Sequence, residues 1–74
     1  MLRDFCTQLL LWRLDPRWFD GELHVDVQGL AFAVAAHSRG MAIRREDETT
    51  SQVYEDPGEA LAALGLWPIP LPVT

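Results

Sequence analysis

Between Glu22 and Gln28 every second residue is apolar: Leu23, Val25 and Val27 alternate with Glu22, His24, Asp26 and Gln28. A period of two puts the apolar set on one face of a strand, half-buried against a core. After Gly29 the alternation resumes, with Leu30, Phe32 and Val34 set against Ala31, Ala33 and Ala35. A two-residue turn at Gln28-Gly29 predicts the pairs Val27–Leu30, Val25–Phe32 and Leu23–Val34. That register gathers the large apolar residues on one face. A four-residue loop at His37-Ser38-Arg39-Gly40 extends the pattern, setting Ala36 beside Met41 and Val34 beside Ile43. The third strand then runs from Met41 to Arg45 or Glu46. After the polar stretch Asp47-Glu48-Thr49, a fourth strand is expected over 50–54.

The chain ends follow a different period. Leu2, Phe5, Cys6 and Leu9 recur at helical spacing, which predicts a helix over 2–14. The consecutive run Leu9, Leu10, Leu11 and Trp12 widens its apolar arc beyond one face. Asp15-Pro16 stops this helix, because the residue before proline is pushed out of the helical region. Residues 16–19 are expected to form a short helical turn, with Trp18 and Phe19 folded back on the core before a turn at Asp20-Gly21. Near the C-terminus, Asp56 reads as an N-cap, Pro57 as the first helical residue and Glu59 as the partner in a capping box. Ala60, Leu61, Ala63 and Leu64 form the buried face. Gly65 takes the left-handed position after the helix, with Leu66 reaching back to Leu61.

In the tail, prolines at 68, 70 and 72 alternate with Ile69, Leu71 and Val73. The missing donors fall on one edge of an extended chain and the free N–H groups on the other. This suits an edge strand better than a polyproline ligand, which is read on a three-residue period. Trp67 and the tail are therefore expected to pack on the domain itself or on a twin subunit. The combined reading is a single small α+β domain over 1–74. It has an antiparallel sheet of three to four strands, an N-terminal helix, a short C-terminal helix and an extended proline-rich tail.

Composition narrows the function. The chain has 74 residues, 49% of them hydrophobic and 23% charged, which excludes a disordered polar chain. A domain of this size buries only about 60% of its unfolded surface, so it has little stability to spare. The lone Cys6 cannot form an internal disulfide, and one Cys with two His cannot alone make a four-ligand zinc site. Small domains without such staples often gain burial by pairing. The net charge is −5, and all six basic residues are arginines. That balance opposes binding to phosphate backbones and anionic membranes. The apolar run at 9–12 is too short for a membrane span or signal peptide, so a cytoplasmic location is expected. The absence of Lys and Asn matches a GC-rich, bacterial or phage, coding bias.

Candidate chemistry is sparse. Cys6 lies on the apolar helix face, where a thiol acts as a small hydrophobe. His24 shares a strand face with Asp26, but nothing orients a nucleophile towards them. No phosphate-binding loop or calcium-loop spacing is present, and no catalytic residue, cofactor or metal is expected. The helix–three strands–helix order resembles the double-stranded RNA-binding domain, which would give His37, Arg39, Arg44 and Arg45 a role on RNA. No basic run at a helix start accompanies them. The ending D-P-G-E-A-L-A-A-L resembles that of small bacterial proteins of antitoxin type.

The expectation is a non-catalytic protein-interaction or accessory module that forms a homodimer or binds another protein. Leu10, Leu11, Trp12, Ala33, Trp67, Ile69 and Leu71 are its candidate partner-binding residues. The alternative is an acidic phage-type or antitoxin-type inhibitor of a basic nucleic-acid-handling protein, with the carboxylates at 20, 22, 26, 46–48 and 55–59 imitating phosphates. One continuous acidic face would favour the inhibitor, and a scattered distribution the plain module.

Overall fold

The computed structural model describes residues 2–70. Helix α1 (Leu2–Leu11) precedes strands β1 (Arg17–Phe19), β2 (Glu22–Val27), β3 (Leu30–His37), β4 (Gly40–Arg45) and β5 (Gln52–Tyr54), and α2 (Pro57–Ala63) follows them. The strands form one antiparallel sheet in the order β1-β2-β3-β4-β5. The α+β class and both helices match the sequence reading, but the sheet has five strands where three to four were expected.

The extra strand is β1. Residues 17–19 do not form a helical turn but pair with β2, Trp18 opposite Leu23 and Phe19 opposite Glu22. The cause is the turn. Asp20 and Gly21 both have positive φ, 52° and 79°, the conformation of a two-residue hairpin whose twist matches that of the flanking strands. Gln28 and Gly29, at 52° and 82°, make the same turn between β2 and β3. The register there is the expected one, with Val27–Leu30, Val25–Phe32 and Leu23–Val34 paired. Ala36–Met41 and Val34–Ile43 also pair as expected. His37 pairs with Gly40 as well, which shortens the loop to Ser38-Arg39.

One face of the sheet carries the core. Leu23, Val25, Val27, Phe32, Val34, Met41 and Ile43 pack against Phe5 and Leu9 of α1, Ala60 and Leu61 of α2, and Leu64 and Leu66 beyond it. Burying these side chains is worth roughly 1.5–3 kcal/mol each. Both helices lie on this side, so the opposite face is free of helices among the described residues.

Both helices end alike. In α2, Asp56 Oδ1 accepts from the Gly58 N–H at 3.1 Å, and Pro57 follows the cap. Neither bond of the expected capping box between Asp56 and Glu59 forms among the described residues, and Asp56 acts as a simple N-cap. At the other end, Leu66 N–H donates to Leu61 O and Gly65 N–H to Ala62 O, both within 3.0 Å. Helix α1 closes with the same pair of bonds, Leu14 to Leu9 and Arg13 to Leu10. Arg13 is therefore the left-handed residue, with φ of 62°, and the helix stops at Leu11 rather than continuing to 14. A side chain in this conformation strains the backbone. Arg13→Gly is expected to stabilise the domain by about 0.5–1 kcal/mol, read as a higher urea midpoint. A lower midpoint would show that the Arg13 side chain makes a contact stronger than the strain it imposes.

Candidate interaction surface

The C-terminal tail crosses the outside of α1. Trp12, the first residue beyond that helix, is partly buried against the core. Its indole Nε1 donates to the Trp67 carbonyl at 2.9 Å, and the two indoles meet edge to face with centroids 4.4 Å apart. One turn earlier, Gln8 holds Ile69 at both backbone groups. The Ile69 N–H donates to Gln8 Oε1 at 2.7 Å, and Gln8 Nε2 donates to Ile69 O at 2.9 Å. The side-chain amide thus stands in for a strand neighbour. Pro68 and Pro70 have no donors, which leaves the Ile69 N–H as the donor in that segment.

Residues 67–70 therefore do not join the sheet as an edge strand. A glutamine on α1 supplies the pairing that a strand would have given. Trp67 packs on the domain through Trp12 but remains 62% exposed. Trp12 occupies the place against the core, and Trp67 covers Trp12. Trp67→Ala is accordingly expected to cost only about 1 kcal/mol, the scale of an aromatic pair rather than of a buried ring. Gln8→Ala, which strips both partners from a part-buried peptide group, should cost about 1–2 kcal/mol. Urea unfolding of both variants checks this order. A Trp67→Ala loss above about 3 kcal/mol would mean that the ring is buried in solution.

The candidate residues thus fall into two groups. Leu10, Leu11, Trp12, Trp67 and Ile69 belong to α1, its end and the tail that straps it, with the tail held on the flank of Gln8 and Trp12. Within this group Leu10 is 57% exposed, Leu11, Trp12 and Ile69 are half-buried, and a groove of about 230 Å³ opens alongside, between Gln8, Leu61 and Pro68. Ala33 lies on the other side of the sheet and is 1% exposed, flanked by His24 on β2 and Arg44 on β4. Leu71 lies outside the described residues, as do Pro72 and Val73.

The open face carries a polar cluster. His24 Nδ1 stands 3.2 Å from Glu46 Oε1, and its Nε2 is 3.7 Å from Glu22 Oε1. Arg44 Nη2 lies 3.8 Å from the same Glu22 oxygen, and the Phe19 ring meets the His24 imidazole edge-on at 5.8 Å. His24 Nε2 is covered and has no hydrogen-bond partner among the described residues. The neighbours of His24 are thus Glu22 and Glu46, not Asp26 alone. Glu46 arrives because its N–H bonds to Ala31 O, setting it one pair beyond Arg44 on the same face. The strand register was the signal that could have revealed it. A shallow cleft of about 570 Å³ runs from this cluster to Trp18 and Arg17 at the sheet edge. Among the described residues, no group of His, Cys, Asp and Glu has the geometry to hold a metal ion.

The arginines do not form a basic patch. Arg44 and Arg45 are successive strand residues and point to opposite faces. Arg44 approaches Glu22, Arg45 pairs with Asp47 at 3.1 Å and Glu48 at 3.6 Å, and Arg39 reaches Glu55 at 3.5 Å. Arg17 pairs with Asp15 at 2.8 Å, and this hydrogen bond, then the carboxylate charge, raises its pKa.

No family model, curated protein or solved structure matches this chain. No helix among the described residues is long and apolar enough to cross a membrane.

Proposed function

We infer that this chain is a small non-catalytic interaction module that pairs with a second copy of itself. The observation that carries this reading is the amount of large apolar surface facing solvent on so short a chain. Trp18 is 57% and Phe19 70% exposed on β1, and in the helix layer Leu10 is 57% and Trp67 62% exposed. Side chains of this size, several on one small domain, mark contact surfaces more often than bare ones. The helix layer offers the candidate residues Leu10, Leu11, Trp12, Trp67 and Ile69 to such a contact.

The placement of charge supports a plain module over an inhibitor that imitates phosphates. Asp20 and Glu55 sit at one end of the strands, and Asp26, Glu46, Asp47 and Glu48 at the other. Arginines pair with carboxylates at both ends, so the acidic residues are divided and partly neutralised. The same pairing leaves little free positive charge for nucleic acid, which is not proposed as a partner. Sedimentation equilibrium of the full chain at tens of micromolar is expected to give twice the 8.4 kDa chain mass. A clean monomer throughout that range would overturn the reading.

A further inference from the structure

The two edges of the sheet differ in what they leave unpaired. The pair that closes a two-residue hairpin exchanges both backbone bonds, and every second residue beyond it does the same. On β1 this parity turns Arg17 and Phe19 towards β2. It leaves outward the backbone groups of Trp18 and the Pro16 carbonyl. Proline has no donor, and Asp15, Arg17 and Asp20 line this short edge with charge. These features keep an edge strand from pairing.

The β5 edge is as short, three residues, but carries neither proline nor charge. The Glu46 N–H bond to Ala31 O, at 3.0 Å, fixes which residues of β4 face β3. Met41 and Ile43 consequently face β5, bonding Tyr54 and Gln52. Ser51 and Val53 are left with N–H and C=O groups pointing outward. From Thr49 to Tyr54 the chain has neither proline nor charge, and Val53 is 42% exposed.

We propose that β5 pairs antiparallel with β5 of a second copy across a two-fold axis, making one continuous sheet through both. This rests on the reading of the chain as a self-associating module, and it places the contact on the β5 edge rather than on the helix layer. Two chains of net charge −5 must meet where neither carries charge, and 49–54 is such a stretch. An axis at Gln52 sets Ser51 opposite Val53 of the second copy and Thr50 opposite its Tyr54, with no like charges opposed between 50 and 54. The guarded β1 edge also matters. A β1-to-β5 contact would repeat without closing and grow a fibre, whereas β5-to-β5 closes at two copies.

Two substitutions test the edge. The Val53 N–H points away from β4, so Val53→Pro removes no hydrogen bond within the domain. Val53→Lys leaves the backbone intact and places a charge on the edge. The wild-type chain is expected to sediment as a dimer at about 50 µM. Both variants should be monomers with unchanged far-UV circular dichroism, the dimer weakened by roughly a hundredfold or more. The Ser51 and Val53 amides of the wild type should exchange at least about tenfold more slowly at that concentration than in dilute solution. A wild-type monomer would overturn both this proposal and the reading beneath it. A wild-type dimer whose folded Val53→Lys variant still dimerises would overturn the edge alone, leaving the α1 and tail surface as the contact. Ser51 and Val53 amides that exchange equally fast in dimer and dilute sample would also overturn the edge, even if Val53→Pro failed to fold.

Discussion

Phe5→Ala is expected to leave the chain largely unfolded at 25 °C. The Phe5 ring is fully buried, and with Leu9 it is what α1 contributes to the fully buried core. Truncating a buried phenylalanine costs about 3–5 kcal/mol, partly from lost transfer free energy and partly from the cavity left behind. A 74-residue domain has a total stability of roughly 4–11 kcal/mol, so the loss takes much or all of it. Collapse cannot easily refill the space. The sheet beneath is pinned by three tight hairpins, and α1 is tied from above by the Gln8–Ile69 bonds. Urea unfolding of wild type and variant measures the difference. Leu10→Ala on the same helix is the internal control: its side chain is mostly exposed, and its removal should change stability by less than about 0.5 kcal/mol. A Phe5→Ala loss below 1 kcal/mol, or a larger loss for Leu10→Ala, would mean that α1 presents a different face to the sheet.

The parts of the fold that could be read from the sequence are those where the period of two persists. Leu23, Val25 and Val27 before Gln28-Gly29, and Leu30, Phe32 and Val34 after it, allow one register that keeps all six on one face, and the structure has that register. Strand β1 is too short to show a period. Its three residues alternate once, and Trp18 and Phe19 are both large and apolar, so the pattern suggested burial where the structure exposes them. The Asp20-Gly21 pair was the informative signal, since that dipeptide favours a hairpin and so requires a strand on each side. The end of α1 depends on a backbone strain at Arg13 that no apolar pattern encodes.

The surface was harder to read than the core, because it depends on which of two similar groups takes a place first. Either Trp12 or Trp67 could have filled the space beside α1. The early end of that helix gives it to Trp12 and leaves Trp67 outside. Likewise, Ile69 was legible as the residue with a free N–H between two prolines. Its partner could not be read, because a glutamine side chain can imitate a strand wherever it happens to lie. Of the contacts of His24, Glu22 shares its strand face and was legible from the alternation, whereas Glu46 is distant in sequence. The Glu46 contact follows only after the β2–β3 and β3–β4 registers are joined across Ala33 and Ala31.

Gly40→Ala is expected to detach β5 from the sheet. Gly40 begins β4 with φ of 149°, in the region open to glycine and strained for other residues. A Cβ added there would overlap the Tyr54 carbonyl oxygen and stand 2.8 Å from Glu55 Cα. Both are backbone atoms, so no side chain can rotate aside, and β5 itself must move. The Met41–Tyr54 pair lies next to the clash and breaks first, followed by Ile43–Gln52. Lost ladder bonds and backbone strain together should cost about 2–4 kcal/mol. The damage should be local, because the β2–β3 hairpin and α1 do not depend on β5. Amide exchange is the discriminating measurement: Gln52 and Tyr54 should lose their protection while Val25 and Val34 keep theirs. If β5 is also the dimer edge, Gly40→Ala should abolish self-association together with that protection. A variant that keeps protected Gln52 and Tyr54 amides at wild-type stability would show that the β3–β4 turn can shift to admit a side chain, and that the close approach of Gly40 to β5 is not required by the fold.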